Sequence, residues 1–176
     1  MLQMKKTTIF TLLILLLATP AVFAQESEND SSGDGTTFIL VRHAEKVSNS
    51  DDPGLTEEGK ARATRLYEML EMANVRAIYS TKTKRTMATV QVVSDMANVP
   101  VTIYEPSPDK DGTEQWIKNH TGETVLISGH SNTIPNIANL LLGRTHFDHD
   151  FDESDYGNLL VVTVNGTERT LLHLRF

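Results

Sequence analysis

The sequence predicts an α/β domain: a three-layer α/β/α sandwich with a mostly parallel β-sheet and a C-terminal antiparallel hairpin. Short apolar segments alternate with longer segments whose apolar residues recur every three or four positions. This alternation is typical of parallel sheets, because consecutive parallel strands need a crossover connection that is usually a helix. An Asn165-Gly166 pair between the last two strand-like segments predicts the closing hairpin.

The expected elements follow one another from residue 36 to the end of the chain. Strands are predicted at 36–41, 77–80, 101–104, 124–128, 159–164 and 169–175. Helices are predicted at 56–72, 83–97, 113–120 and 132–142. Thr56 is a suitable N-cap for the first helix, because its hydroxyl can accept a hydrogen bond from a backbone N–H of the first turn.

The N-terminal residues predict a secretory signal peptide. Lys5 and Lys6 precede a short apolar run at 9–18, and small residues at 22 and 24 favour cleavage before Gln25. The predicted organisation is therefore a signal peptide at 1–24, a polar disordered spacer at 25–35 and a single domain at 36–176. An uncleaved N-terminal anchor is the alternative. Cleavage would give an exported protein, periplasmic or secreted, without stable membrane insertion.

Composition narrows the classes of partner. The chain has 176 residues, 23 acidic and 16 basic residues, a formal net charge of −7 and no cysteine. An acidic protein is a poor match for nucleic acid. Without disulfides, an exported domain of this size depends on its hydrophobic core for stability. Composition gives no indication of oligomeric state.

Charged and polar side chains follow four of the predicted strands. Arg42 and His43 follow the first strand, Arg85 lies in the helix start after the second, Glu105 follows the third, and His130 follows the fourth. In open α/β sheets, ligands bind outside the carboxyl ends of the strands. We therefore expect these residues to face one edge of the sheet, together with two helix N-termini that attract anions.

This set of residue types suits phosphate chemistry. An arginine offers a planar fork of donors that fits phosphate oxygens, and a neutral histidine nitrogen can attack phosphorus. Simpler interpretations remain open for each residue. His43 could be a packed histidine at a strand end, and His130 could only cap its helix. Arg85 could pair with a carboxylate on the first helix, and Glu105 could be a solvated loop residue.

Four segments together resemble the histidine phosphatase superfamily, which has the phosphoglycerate-mutase-like fold. They are Arg42–Glu45, Leu55–Gly59, Tyr79-Ser80 with Arg85, and Gly129–Thr133. The chain is similar in size to short single-domain bacterial members that lack a large cap insertion. It departs from the usual motif at Ala44, where the family has glycine, and the family's general acid varies in position.

The resemblance implies a metal-independent phosphatase without a cofactor. His43 would attack the phosphorus of a small phosphorylated substrate and form a phosphohistidine intermediate, while Arg42, Arg85 and His130 bind the phosphate oxygens. Glu105 is the best-placed general acid, with nearby competitors at Asp109, Asp111 and Glu114. A phosphohistidine substrate is also possible. The alternatives are a phosphomutase and a non-catalytic phosphate-binding module on the same fold.

A second polar cluster lies between the last helix and the closing hairpin. Its members are His146, Asp148, His149, Asp150, Asp152, Glu153 and Asp155. Alternating histidine and carboxylate side chains could bind a metal ion, which would indicate a metal-dependent hydrolase. The other interpretation of this segment is a polar loop.

Overall fold

A computed structural model describes residues 35–48 and 51–176 of the protein. Within these ranges the strands are β1 (Thr36–Arg42), β2 (Val75–Ser80), β3 (Val101–Ile103), β4 (Thr124–Gly129), β5 (Asn158–Asn165) and β6 (Glu168–Arg175). The helices are α1 (Glu57–Leu70), α2 (Lys84–Ala97), α3 (Lys110–Asn119) and α4 (Thr133–Leu142). The predicted signal peptide and nearly all of the predicted spacer lie outside the described residues. None of the helices described is long and apolar enough to cross a membrane.

The six strands form one sheet in the order β3-β2-β4-β1-β5-β6. β4 pairs in parallel with β1 and β2, and β2 pairs in parallel with β3. β5 is antiparallel to both β1 and β6, so the predicted mostly parallel sheet with a C-terminal hairpin is confirmed. Because β5 runs against β1, the start of β5 lies beside the carboxyl end of β1.

Helices cover both faces of this sheet, as predicted. Along β1, Phe38 and Leu40 point into one hydrophobic core, which includes buried residues of α3 and α4. Ile39 and Val41 point into a second core, which is built with α1 and α2. Side chains of a strand alternate between the two faces, so a strand buried on both faces reads as a continuous apolar run. β1 is therefore a central strand, and its last residue is held in a fixed position.

Most element boundaries differ from the prediction by one or two residues, and two of the differences have a clear physical cause. α3 begins at Lys110 rather than 113, because the side chain of Asp109 accepts a hydrogen bond from the Gly112 backbone N–H at 2.8 Å and caps the helix earlier. In the hairpin, Asn165 pairs with Glu168, so the turn residues are 166 and 167 rather than 165 and 166. Gly166 has φ +55°, a left-handed conformation that glycine adopts without steric cost.

The start of α1 packs against the backbone that follows β1. The Thr56 hydroxyl accepts a hydrogen bond from the Gly59 backbone N–H at 3.0 Å, which confirms the predicted cap. A Cβ on Gly59 would lie 2.3 Å from the backbone oxygen of Glu45, so only glycine allows this approach. The Leu55–Gly59 segment thus fixes the loop that carries His43.

Candidate active site

The structure brings four of the predicted site residues together at the carboxyl edge of the sheet. Arg42 pairs with Gly129 across β1 and β4, and the His43 backbone N–H donates to the Gly129 oxygen at 2.9 Å. The ring centroids of His43 and His130 are 5.6 Å apart. Arg85, in the first turn of α2, places Nη2 3.5 Å from His130 Nδ1. Two guanidinium groups and two imidazole rings therefore share one site.

His43 has the tautomer that a nucleophile requires. Its Nδ1 lies 2.9 Å from the backbone oxygen of Ala44, and a carbonyl oxygen can only accept, so Nδ1 carries the hydrogen. The lone pair is therefore on Nε2. The pKa of His43 is lowered to about 4, mainly by burial; the nearby charges of Arg42 and Arg85 act in the same direction, and the Ala44 hydrogen bond opposes them. The ring is neutral at pH 7.

His130 is also held neutral and in one orientation. Burial lowers its pKa to about 4, and the charges of Arg85 and Arg42 contribute in the same direction. Its Nε2 lies 3.0 Å from the Thr81 hydroxyl. Since a guanidinium only donates, the contact with Arg85 makes Nδ1 the acceptor and leaves Nε2–H to donate to Thr81. The His130 side chain thus contacts the loop after β2, and the hydroxyl of Thr133 accepts from its backbone N–H at 2.8 Å.

Each of the two arginines, Arg42 and Arg85, has a buried Nε–H without an acceptor in the described residues. Arg85 has one carboxylate nearby, Asp52 at 3.9 Å, which lies in the loop before α1 rather than on the helix. A buried donor without a partner costs about 1–3 kcal/mol, so an anion that accepts from these atoms would be stabilised.

The remaining donors of Arg42 are bound by residues Asp152–Tyr156, here named the Arg42 loop. Nη1 donates to the backbone oxygens of Asp152 at 2.9 Å and Asp155 at 3.2 Å. The Tyr156 ring lies 4.4 Å from Arg42 Cζ and 5.9 Å from the His43 ring. With the side chain of Arg42 fully buried, this loop fixes the plane of its guanidinium group.

Glu153 of the Arg42 loop connects the two halves of the site. One carboxylate oxygen accepts from Arg42 Nη2 at 2.6 Å, and the other accepts from the hydroxyl of Ser131, which follows His130. The Ser131 hydrogen bond and the charge of Arg42 lower the pKa of Glu153 below its usual value. Its side chain is 73% exposed, so the carboxylate lies on the solvent side of the site.

Glu105 lies outside this hydrogen-bonded cluster. It is exposed in the segment after β3, and within the described ranges no hydrogen bond or ion pair joins it to Arg42, His43, Arg85 or His130. Of its predicted competitors, Asp109 caps α3, and Asp111 and Glu114 are exposed. The assignment of Glu105 as the general acid stays a prediction.

Glu45 pairs with an arginine rather than facing water. Arg62 Nε lies 2.9 Å from each carboxylate oxygen of Glu45, and both side chains are largely buried. A paired, bidentate arrangement of this kind is geometrically specific. Arg62 therefore orients Glu45 and joins α1 to the loop after His43.

The polar cluster at 146–155 is a loop and does not gather around one point. His149 is exposed and contacts Asp148, while Asn139 binds the backbone at 146 and 147. Its last members belong to the Arg42 loop. In the part of the chain that the structure describes, no group of three or more His, Asp or Glu side chains is placed to hold a metal ion.

A family model supports the resemblance drawn from the motifs. The model of the histidine phosphatase superfamily (branch 1) matches residues 38–106, which include Arg42, His43 and Arg85. The resemblance to this superfamily is confirmed over these residues. No curated protein matches the sequence.

Solved structures of the histidine phosphatase fold are similar to this chain. A phosphoserine phosphatase from Entamoeba histolytica, in complex with 3-phosphoglyceric acid, has a TM-score of 0.62 at 17% identity, covering 80% of this chain and 97% of that one. An alpha-ribazole phosphatase from Shigella flexneri has a TM-score of 0.62 at 16% identity, covering 80% and 96%. The protein histidine phosphatase SixA, complexed with tungstate, has a TM-score of 0.59 at 16% identity, covering 79% and 96%. At these identities the similarity establishes the fold.

Proposed function

We propose that this protein is an exported, metal-independent phosphatase that hydrolyses a phosphomonoester or a phosphohistidine. The observation that carries the proposal is the hydrogen bond from His43 Nδ1 to the Ala44 oxygen, which leaves a neutral Nε2 in a site with two arginines. A binding module needs the arginines but has no use for a nucleophile prepared in this way. The phosphatase neighbours give independent support for phosphorylated substrates.

The first half of the reaction transfers the phosphoryl group to the protein. Nε2 of His43 forms a bond to phosphorus as the bond from phosphorus to the leaving oxygen breaks. Arg42 and Arg85 bind the non-bridging oxygens, and His130 joins them when its Nε2–H turns from the Thr81 hydroxyl to the phosphate; these donors stabilise the charge of the transition state. The Nδ1–H bond to the Ala44 oxygen stabilises the positive ring that results.

The second half returns the protein to its starting state. Water attacks the phosphohistidine, the nitrogen–phosphorus bond breaks, and inorganic phosphate leaves. One group has to protonate the leaving oxygen in the first half and accept a proton from water in the second. Glu105 was predicted for this role from the sequence.

The proposal is tested by phosphate release from an aryl phosphomonoester by the purified protein in EDTA. We expect turnover by the wild type and loss of activity in His43→Ala, because this variant lacks the nitrogen that attacks phosphorus. His149→Ala is the matched control, since His149 is exposed and contacts only its neighbour Asp148. Trapping of a phosphorylated protein by denaturation at alkaline pH, where the nitrogen–phosphorus bond is stable, would locate the intermediate if the signal is absent in His43→Ala.

Four results would contradict the proposal. Equal activity in His43→Ala would exclude His43 as the nucleophile, and loss of activity in EDTA would favour a metal-dependent hydrolase. Phosphate binding without turnover would favour the non-catalytic module. Transfer of the phosphoryl group to a second hydroxyl, rather than to water, would indicate a phosphomutase.

A further inference from the structure

We infer that Glu153 is the acid and base of this site: it protonates the leaving oxygen and then accepts a proton from the attacking water. The inference rests on the proposed phosphatase function. It assigns the role to a residue of the Arg42 loop, which follows the last helix, rather than to Glu105 in the segment after β3.

Position is the first argument. The carboxylate of Glu153 binds Arg42 through one oxygen and Ser131 through the other. Arg42 directly precedes His43 in the chain, and Ser131 directly follows His130. The carboxylate therefore lies against the Arg42 guanidinium, close enough for its charge to act on both the His43 and the His130 rings. The leaving group departs on the side of phosphorus opposite the attacking nitrogen of His43, and we place the exposed Glu153 carboxylate on that side.

Access is the second argument. The Glu153 side chain is 73% exposed, although both of its oxygens are hydrogen-bonded. A proton donor needs this combination, because it must be oriented within the site and yet exchange protons with water in each cycle. Arg42, in contrast, is fully buried.

Charge is the third argument. In the free protein, Ser131 and Arg42 stabilise the ionised carboxylate of Glu153. A phosphate dianion that binds the same guanidinium adds negative charge beside the carboxylate and competes for the stabilising partner. Two like charges this close disfavour each other's ionised form, so Glu153 takes up a proton as the substrate binds. Substrate binding thus prepares the acid.

The proton balance closes over the cycle. When His43 Nε2 bonds to phosphorus, the electron pair of the breaking bond goes to the leaving oxygen, which takes the proton from Glu153. The ionised carboxylate then accepts a proton from water as the water oxygen attacks phosphorus, and the bond from phosphorus to Nε2 breaks with its electron pair returning to the ring. The products are the alcohol, phosphate, neutral His43 and protonated Glu153.

A series of leaving groups tests the assignment in the full-length protein. A nitrophenol leaves without a proton, whereas an alkyl alcohol needs one. We expect Glu153→Gln to lower kcat/KM on an alkyl phosphate by about 10²–10⁴-fold, and to change it little on 4-nitrophenyl phosphate. Asp150→Asn is the matched control, because it removes one negative charge from an exposed position three residues away. Glu105→Gln is the competing variant.

The outcomes distinguish a failure of the proposed phosphatase function from a failure of the Glu153 assignment. No hydrolysis of either substrate by the wild type would count against the proposed phosphatase. Wild-type activity with an equal loss on both substrates in Glu153→Gln would overturn the present inference alone. A selective loss of activity on the alkyl phosphate in Glu105→Gln would also overturn the assignment of Glu153. An increase in affinity for inorganic phosphate as the sole effect of Glu153→Gln would overturn it as well.

A binding measurement tests the proton uptake without turnover. Sulfate stays a dianion near neutral pH, so any proton taken up on binding goes to the protein. Titration calorimetry in two buffers of different ionisation enthalpy gives that uptake. We expect the wild type and Asp150→Asn to take up more protons per sulfate than Glu153→Gln does. Equal uptake in all three would overturn the inference.

Discussion

Replacing His43 with glutamine tests how strongly the site disfavours a charged ring, and it needs no substrate. The pKa of His43 is about 4 in the folded protein, against about 6.5 in an unfolded chain. The unfolded state therefore binds a proton more readily, and acid favours unfolding. The part of the unfolding free energy that is linked to His43 is fully present above the pKa of His43 in the unfolded chain. It is lost as the pH falls toward and through the pKa of His43 in the folded protein. Linkage puts the loss at about 2 kcal/mol by pH 5 and about 3 kcal/mol by pH 4.

The assay is urea unfolding of the wild type and His43→Gln at several pH values from 7 down to 4. Glutamine does not titrate, so the unfolding free energy of the variant should fall less steeply with acid. The difference between the two proteins should change by about 2 kcal/mol between pH 7 and pH 5, with equal m-values. Parallel pH profiles would refute the reasoning, because they would show that folding does not shift the pKa of His43.

Three further predictions concern the frame of the site and the N-terminus. Thr56→Ala should lower the unfolding free energy by about 1 kcal/mol in urea, while Thr56→Ser should keep the cap; equal losses would contradict the capping role. Gly59→Ala should cost about 1–3 kcal/mol, because its Cβ would overlap the Glu45 backbone, and an unchanged urea midpoint would contradict this. N-terminal sequencing of the protein exported from a secreting host should begin at Gln25, whereas an intact N-terminus would favour an anchor.

The layers of the fold and the convergence of Arg42, His43, Arg85 and His130 could be predicted because both depend on local patterns. A strand buried on both faces is a continuous apolar run, and parallel strands place their carboxyl ends at one edge. Arg42, His43, Arg85 and His130 each lie just after such a strand or in the helix turn that follows it, so the alternation of elements was sufficient to group them.

The position of Glu105 along the sheet edge could not be predicted in this way. It follows β3, a strand of three residues that pairs only with β2 at the edge of the sheet. A residue after the edge strand shares the carboxyl edge with His43 but is separated from β1 by β2 and β4. The order of elements in the sequence indicates at which edge of the sheet a residue lies. It does not give the distance along that edge between residues that follow different strands. That distance depends on strand order.

Strand order also explains why the Arg42 loop was missed. Its residues precede a strand, and in a parallel sheet such residues lie at the far edge from the ligand. β5 is antiparallel to β1, however, so the segment before it arrives at the carboxyl end of β1, beside Arg42. The acidic residues at 152–155 drew attention as possible metal ligands, whereas their backbone oxygens and one carboxylate bind a guanidinium group. In a mixed sheet, the residues before each antiparallel strand therefore belong among the site candidates, together with those that follow the parallel strands.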